Sequence, residues 1–293
     1  MLDPSWAWTR PLLWVAVAAL LAVLVIRAIR KDRREYQQFK RFTATAARQR
    51  MFRKWLLESF LQFGGLSVGA LLLAGFAVAP LLSTLADWPG VRDLRRLVHD
   101  EPGITLSVVG GALVALVVLT IFAAGAARKE QEVMTVGDIS AMLPRNRQEL
   151  LLGGLLSVNA GIVEELLFRL ALPALVFGAS GNAIVAVVFT VLLFGALHVY
   201  QGVAGVIGTT VIGAIFMLLY AVTGTILVPI IVHALFDLRS LVLIPVAVFR
   251  VHRIDGAAPA ATPAVAPGSA PAAPAGSPTP AHSPAASTPG PSV

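Results

Sequence analysis

Apolar residues occur along the chain in long uninterrupted stretches that short polar connections separate. Seven stretches are present, at residues 11–29, 55–82, 104–127, 150–177, 183–200, 203–222 and 226–249. A helix needs about 20 apolar residues to cross the hydrocarbon core of a bilayer. The pattern therefore predicts an all-α, polytopic membrane helix bundle of about seven transmembrane helices, with the fifth to seventh short and closely connected.

The composition agrees with a membrane bundle. Only 13% of the residues are charged and 57% are apolar, and the mean hydropathy is +0.79. Soluble domains carry about 25% charged residues, so a soluble enzyme is excluded. The sequence contains no cysteine, which excludes disulfides, thiolate nucleophiles and cysteine-ligated metal sites. Any catalysis must use oxygen and imidazole groups.

Positive charge is concentrated in one connection. Of the 23 Lys and Arg residues, eleven lie between Arg27 and Lys54. The positive-inside rule places this segment in the cytoplasm, the N-terminus outside and, after seven crossings, the C-terminus in the cytoplasm. We therefore expect a protein of the cell (plasma) membrane. Aromatic residues interleave with the basic ones, but beside a membrane helix we interpret the segment as a topology signal that contacts anionic lipid headgroups, with no nucleic acid as partner.

These features divide the chain into four regions. Residues 1–54 hold the first transmembrane helix and the basic cytoplasmic segment, and residues 55–149 hold the second and third transmembrane helices with their loops. Residues 150–249 form the last four helices. Residues 256–293 are rich in Ala, Pro and Ser and contain ten of the 19 prolines. Such a composition cannot bury a core, so it predicts a disordered C-terminal tail.

The last four predicted helices contain ionisable residues where apolar ones are expected. Between residues 150 and 249 the charged or imidazole side chains are Glu164, Glu165, Arg169, His198, His233, Asp237 and Arg239. Each ionisable group at membrane depth costs about 2.5–3.5 kcal/mol or more, and such groups mark functional sites by default. The alternative is a set of hydrogen bonds and ion pairs that only hold the bundle together.

Helical spacing assigns different environments to the two glutamates. Glu165 and Arg169 are four residues apart, the spacing of an ion pair on one helix face, so we interpret them as structural. Glu164 points about 100° away around the helix and is left as the free carboxylate. His233 and Asp237 share a face in the same way, and an aspartate can fix the tautomer of an imidazole.

Three short motifs in this region resemble those of one intramembrane protease family. Glu164 to Arg169 resembles a Glu-Glu-x-x-x-Arg motif, Phe194 to His198 resembles Phe-x-x-x-His, and His233 to Asp237 resembles His-x-x-x-Asn/Asp. The family is that of the type 2 CAAX prenyl endopeptidases, also called CPBP (CAAX protease and bacteriocin-processing, Abi) intramembrane proteases. The resemblance covers about residues 150–249 and does not explain the rest of the chain.

The resemblance implies an intramembrane endopeptidase that cuts a membrane-embedded or lipid-anchored protein or peptide, prenylated or otherwise CAAX-like at its C-terminus. It implies that Glu164 and His198 activate a water molecule and that His233 and Asp237 support the oxyanion. Glu165, Arg169 and Phe194 are then structural. We expect no cofactor. A site in which two imidazoles and a carboxylate bind zinc or another divalent metal is the alternative within the same family.

Two other functions remain as alternatives to the endopeptidase. The predicted helix limits also conflict with a shared catalytic site. The alternatives are a catalytically silent membrane chaperone or immunity factor and a proton-coupled transporter. The conflict is that Glu164 lies about 21 Å from the cytoplasmic end of its predicted helix, whereas His198 lies close to the end of its own. We therefore expect the fourth helix to begin near Gly153 and the fifth to continue through Gly202.

Overall fold

Helices account for the secondary structure of the part of the chain that can be described. The computed structural model describes residues 2–100 and 138–255, and the single positions 103, 118, 121 and 125. These residues form helices and contain no strand. Apart from those single positions, the third predicted span (104–127) lies outside the described residues, as does the tail (256–293).

The first half of the described chain folds into two long helical stretches and one shorter helix. The first stretch comprises α1 (Thr9–Ile26), a π-helical segment (Arg27–Asp32) and α2 (Arg33–Lys40). The second comprises α3 (Thr45–Ala74), a 3₁₀ turn (Gly75–Ala77) and α4 (Val78–Ala86), and α5 (Pro89–Asp100) follows it. The basic connection is therefore helical over most of its length.

The second half contains the predicted site residues. A 3₁₀ turn (Ser140–Met142) precedes α6 (Arg147–Glu165), a π-helical segment (Leu166–Ala171) and α7 (Leu172–Ser180). Then come α8 (Ala183–Leu197), a 3₁₀ turn (Val199–Gln201) and α9 (Gly202–Thr223). The described chain ends with α10 (Leu227–Leu238), a π-helical segment (Arg239–Leu243), α11 (Ile244–Phe249) and a 3₁₀ turn (Val251–Arg253).

Four helical stretches among the described residues are long and apolar enough to cross a membrane. They are Thr9–Lys40, Thr45–Ala86, Val199–Thr223 and Leu227–Phe249, and the shorter apolar helix is Ala183–Leu197. The predicted fourth span is helical over α6 and α7 but is not one of the four, and it contains Glu164, Glu165 and Arg169. The prediction of an all-α polytopic membrane bundle is confirmed, while the number seven is supported only roughly.

Glycine and asparagine set the sharp turn between α7 and α8. Gly181 ends α7 with a φ of 69°, in the left-handed region that a residue without a Cβ adopts at little cost. Asn182 follows, and its side chain accepts hydrogen bonds from the backbone N–H groups of Ile184 and Val185. The chain therefore reverses within two residues, and α7 and α8 share one end of the bundle.

A buried ion pair fixes the beginning of α6 against α3. Arg48 and Glu149 are both fully buried, with 3.1 Å between Nε and Oε2. The other guanidinium nitrogens of Arg48 donate to the carbonyl oxygens of Ala141 and Leu143. About three turns further along both helices, Asn159 donates to Ser59 at 2.7 Å. Because both contacts pair positions about 100 residues apart in sequence, α3 and α6 run parallel in one register.

The core of the bundle packs the first helix against α7. Its fully buried side chains include Leu13 and Leu24 on α1 and Leu172 and Leu175 on α7. Relative to the same side chain exposed to water, burial of one such side chain stabilises the fold by about 1.5–3 kcal/mol. In a bilayer, tight packing is the main source of helix association, so close interdigitation of these side chains sets where the helices lie.

Small residues allow α6 and α10 to approach closely. A Cβ atom added at Gly161 would lie 2.9 Å from the backbone nitrogen of Ala234 and 3.0 Å from the carbonyl oxygen of Ile230. Both neighbours are backbone atoms, which cannot move away without separating the helices. Since Glu164 and His233 each lie within one turn of this contact, Gly161 sets the distance between two of the predicted site helices.

We predict that Gly161→Ala destabilises the protein by about 1–3 kcal/mol, because the added methyl group overpacks the α6 and α10 interface. Thermal unfolding in detergent measures the change. Gly65→Ala on α3 is the matched control, since nothing lies within 4 Å of a Cβ at Gly65. Equal melting temperatures for the two variants would show that the close contact does not constrain the bundle.

Candidate active site

The carboxylate of Glu165 is buried between two helices and a π-helical segment. Glu165 has no exposed surface, and its Oε2 lies 3.1 Å from Nε of Arg169. The ion pair expected from the four-residue spacing is therefore present. Arg169 is also buried, and its guanidinium lies over the ring of Phe194 at 4.3 Å and the ring of Phe216 at 5.6 Å. Two aromatic faces thus replace water around the cation.

Glu165 also orients His233. The Nδ1 atom of His233 lies 2.7 Å from Oε1 of Glu165. A carboxylate only accepts hydrogen bonds, so Nδ1 carries a proton and donates it to Glu165. The Nε2 atom then faces Asp237, whose Oδ2 is 3.6 Å away. Glu165 therefore makes the shorter contact with the ring, across the helix interface, and Asp237 lies on the side of Nε2.

His198 is oriented by its own backbone. It is the residue after the last one of α8, and its Nδ1 lies 2.7 Å from the carbonyl oxygen of Phe194. Because a carbonyl oxygen only accepts, Nδ1 donates, and the lone pair of the neutral ring is left on Nε2. No described residue is hydrogen-bonded to that nitrogen. His198 can therefore accept a hydrogen bond from a water molecule or a substrate.

The ring of Phe194 joins the two histidines. Its centroid lies 4.8 Å from the ring of His198 and 6.4 Å from the ring of His233. On the other side it contacts Phe168 at 5.2 Å. Phe194 therefore packs both imidazoles and the guanidinium of Arg169 into one cluster, which agrees with a supporting role.

Glu164 faces this cluster without taking part in the buried ion pair. It is half-buried, in contrast to the fully buried Glu165, as the 100° angle between neighbouring residues requires. No described residue donates a hydrogen bond to its side chain. Its neighbour Glu165 contacts His233, so the free carboxylate is carried by the helix turn that lies against the third motif.

The depths of Glu164 and His198 agree once they are counted from the turn that α7 and α8 share. Glu164 precedes Ser180 by 16 residues, and His198 follows Ala183 by 15. At 1.5 Å per residue the two lie about 24 and 23 Å from that end. The conflict in the predicted limits therefore came from counting from the opposite, cytoplasmic ends of the helices, which are not level.

Both helix limits proposed to remove that conflict are wrong. The helix that bears Glu164 begins at Arg147, not near Gly153. The side chain of Asn146 caps it, and the pairing of Glu149 with Arg48 stabilises this early start. The fifth predicted helix ends at Leu197 and does not continue through Gly202.

The described residues do not form a ready metal site. No group of three or more His, Asp or Glu side chains among them is arranged as metal ligands. The Nδ1 atom of His233 donates to Glu165, and its Nε2 lies 3.6 Å from Oδ2 of Asp237. The residue types suit zinc, but no three of them are grouped as ligands within residues 2–100 and 138–255.

Sequence patterns missed two aromatic residues of the cluster. Phe216 on α9 contacts the ring of His233 at 5.1 Å, and Tyr200 lies 5.9 Å from the ring of His198. Tyr200 follows His198 by two residues, which is a usable signal. Phe216 is one apolar residue among many on α9, so only the packing of the helices reveals it.

We predict that Glu165→Gln lowers the melting temperature strongly, whereas Glu164→Gln leaves it nearly unchanged. Removing one partner of a buried ion pair costs about 3–5 kcal/mol, because the remaining charge of Arg169 is uncompensated. Glu164 has no such partner among the described residues. Thermal unfolding of both variants in the same detergent is the measurement. A loss for Glu164→Gln as large as for Glu165→Gln would contradict the assignment of the two carboxylates.

Comparison with known proteins agrees with the motifs. Residues 146–239 match the family model described as Rce1-like, type II CAAX prenyl endopeptidase Rce1-like. No curated protein and no solved structure matches the chain. The matched residues include all three motifs, and α1 to α5 lie outside them. Residues 146–239, about a third of the chain, are thus similar to the Rce1-like family of type II CAAX prenyl endopeptidases.

Proposed function

We propose that the protein is an intramembrane endopeptidase in which Glu164 and His198 activate a water molecule for attack on a peptide bond. The observation that carries the proposal is that the two neighbouring glutamates differ in burial and in their partners. Both oxygens of Glu165 are engaged, one by Arg169 and one by His233. Glu164 is half-buried and makes no ion pair or hydrogen bond through its side chain with a described residue. A carboxylate without another partner can accept a proton from water, as a general base does.

In the proposed reaction, water binds between Glu164 and Nε2 of His198. Glu164 accepts one proton from the water as its oxygen attacks the carbonyl carbon, and the same proton then goes to the nitrogen of the leaving amine. The Nε2 lone pair of His198 orients the water. Glu164 lies within a continuous helical stretch and His198 is held by its hydrogen bond to Phe194, so the water is placed before the reaction begins, which lowers the entropic part of the barrier.

His233 and Asp237 act on the other side of the scissile bond. His233 already donates from Nδ1 to Glu165, so it can donate to an oxyanion only from Nε2. Donation from Nε2 requires a second proton on the ring, on the side that faces Oδ2 of Asp237 at 3.6 Å. Donors aimed at a developing oxyanion contribute most where water is scarce.

We favour this chemistry over a metal-dependent one. No three His, Asp or Glu side chains in the described part of the chain are grouped to hold a metal ion, whereas the metal-free mechanism needs only the carboxylate of Glu164 and the imidazole of His198. The silent chaperone or immunity factor and the proton-coupled transporter remain alternatives that an activity measurement separates.

The substrate that we propose is a membrane-embedded or lipid-anchored protein or peptide. The family of the matched region is described by its prenyl substrates, so a prenylated C-terminus is the first candidate. A catalytic cluster set among membrane helices can act only on a chain that reaches it from the bilayer or its surface. Comparing a prenylated CAAX peptide with the same peptide without its prenyl group tests this choice.

We predict that Glu164→Gln abolishes cleavage of such a peptide by the purified protein, with a loss of about 10²–10⁴ in turnover, since the general base is removed and the side-chain shape is kept. Mass spectrometry of the products measures cleavage. Asp93→Asn, at an exposed position on α5, is the matched control and should cleave normally. Normal turnover in Glu164→Gln would disprove the catalytic assignment, and an inactive wild type would favour the silent alternative.

We also propose that arginines of the basic segment bind anionic lipid headgroups on the cytoplasmic side. Five of the eleven basic residues are ion-paired within the fold, namely Arg27, Lys31, Lys40, Arg48 and Lys54. The other six are exposed and make no ion pair with a described residue, and they are Arg30, Arg33, Arg34, Arg41, Arg50 and Arg53. These six arginines can meet a lipid headgroup without breaking an ion pair of the fold.

The exposed faces of two helices change from apolar to basic at one level. On the first stretch exposed Ile26 and Ile29 precede Arg30, and on α3 exposed Leu57 follows Arg53. The ion pair of Lys31 with Glu58 at 2.6 Å holds the two helices level there. A switch from bare apolar side chains to arginine is typical of the boundary between hydrocarbon and headgroups. It supports placing these arginines at the headgroup level, and the positive-inside rule then gives a cytoplasmic basic end and an N-terminus outside.

We predict that replacing Arg30, Arg33 and Arg34 by glutamine weakens retention of phosphatidylglycerol about a hundredfold, at about 1 kcal/mol for each arginine. Native mass spectrometry of the protein released from mixed vesicles counts the bound lipids. The control replaces the exposed Arg92 and Arg96 of α5 and should retain lipid as the wild type does. Equal retention of phosphatidylglycerol by the two variants would refute the lipid assignment. So would a triple variant that keeps its lipid but no longer binds an added acidic peptide.

A further inference from the structure

The turn that follows His198 is held by residues outside the family region. Tyr36 on α2 is 2% exposed, and its ring meets the ring of Tyr200 edge-on, with 5.4 Å between centroids. The hydroxyl of Tyr36 donates to the carbonyl oxygen of Asp138 at 2.5 Å. Neither Tyr36 nor Asp138 belongs to the matched residues 146–239.

The contact continues from Asp138 back to the turn. The backbone N–H of Asp138 donates to the carbonyl oxygen of Gln201 at 2.9 Å. The side-chain amide of Gln201 donates to the hydroxyl of Tyr200 at 2.9 Å. Tyr36, Asp138, Gln201 and Tyr200 thus form a closed ring of contacts, which we call the tyrosine clamp. Lys40 reinforces it through an ion pair with the carboxylate of Asp138.

His198 needs such support because the helix does not supply it. The last residue of α8 is Leu197. His198 follows it and directly precedes a 3₁₀ turn of three residues (Val199–Gln201). Short 3₁₀ turns have poorer hydrogen-bond geometry than α-helices. The carbonyl oxygen of His198 accepts from the N–H of Gln201 at 2.9 Å, and the ring of Tyr200 lies 5.9 Å from the imidazole. The clamp therefore holds Tyr200 and Gln201, the second and third residues after the imidazole.

We propose that Tyr36 and Asp138 are positioning residues that fix Nε2 of His198 through Tyr200 and Gln201. For its catalytic readout the proposal rests on the proposed function. The clamp does not contact the fully buried Glu165, so it acts on His198 separately from the ion pair that orients His233. A displacement of about 1 Å in a catalytic group can cost about a hundredfold in rate. Loss of the clamp should therefore lower kcat and leave KM unchanged.

The test compares Tyr36→Leu and Tyr36→Phe in the full-length protein. Tyr36→Leu removes both the ring contact and the hydroxyl, whereas Tyr36→Phe keeps the ring and loses only the bond to Asp138. Tyr220→Leu is the matched control, since Tyr220 is a buried tyrosine of α9, 4% exposed, that belongs to neither the clamp nor the site. Cleavage kinetics and amide hydrogen exchange of residues 198–201 are measured on each protein.

We expect Tyr36→Leu to lower kcat about tenfold or more at unchanged KM and to speed exchange in the turn. Tyr36→Phe should show a smaller loss in the same direction, and Tyr220→Leu should match the wild type in both measurements. Wild-type kcat in Tyr36→Leu, or exchange no faster than in Tyr220→Leu, would overturn the proposal. If the wild type cleaves no peptide, the proposed function fails, and hydrogen exchange alone then decides whether the clamp holds the turn.

Discussion

The buried carboxylate of Glu165 is the interaction on which the candidate site depends. One of its oxygens accepts a hydrogen bond from His233 on α10, and the other faces Arg169 in the π-helical segment. An isolated charge in this apolar interior would cost several kcal/mol, so each partner is needed by the others. Because Arg169 also lies over the rings of Phe194 and Phe216, the same charge cluster connects α8 and α9. One carboxylate thereby holds four elements of the bundle in register.

This arrangement explains why two glutamates stand side by side. Neighbouring helical residues point about 100° apart, so one can satisfy the interior while the other remains free. Glu165 compensates Arg169 and sets the tautomer of His233, and Glu164 is left half-buried beside the same cluster. A π-helical segment directly after Glu165 shifts the helix register at this point, and such segments occur frequently at functional sites. The chemistry and the packing thus use adjacent residues for different purposes.

The sequence predicts the apolar spans and the motif residues because both depend on local periodicity. It also predicts the pairing of Glu165 with Arg169, since four residues on one helix fix that distance. It could not predict that His233 binds Glu165. The two residues are 68 positions apart on different helices, and their contact depends on the register of those helices. The helix limits were wrong for a related reason. Interactions across the bundle, such as that of Arg48 with Glu149, extend or end a helix where hydropathy alone shows no boundary.

The most direct test of the central claim, that Glu164 and His198 hydrolyse a peptide bond without a metal, is turnover after exhaustive chelation. Cleavage of a membrane peptide and metal content by elemental analysis are measured on the same purified sample. The account predicts undiminished cleavage with less than one metal ion per chain, because a carboxylate and an imidazole suffice to activate water. Turnover that disappears with the metal and returns when zinc is added would contradict it.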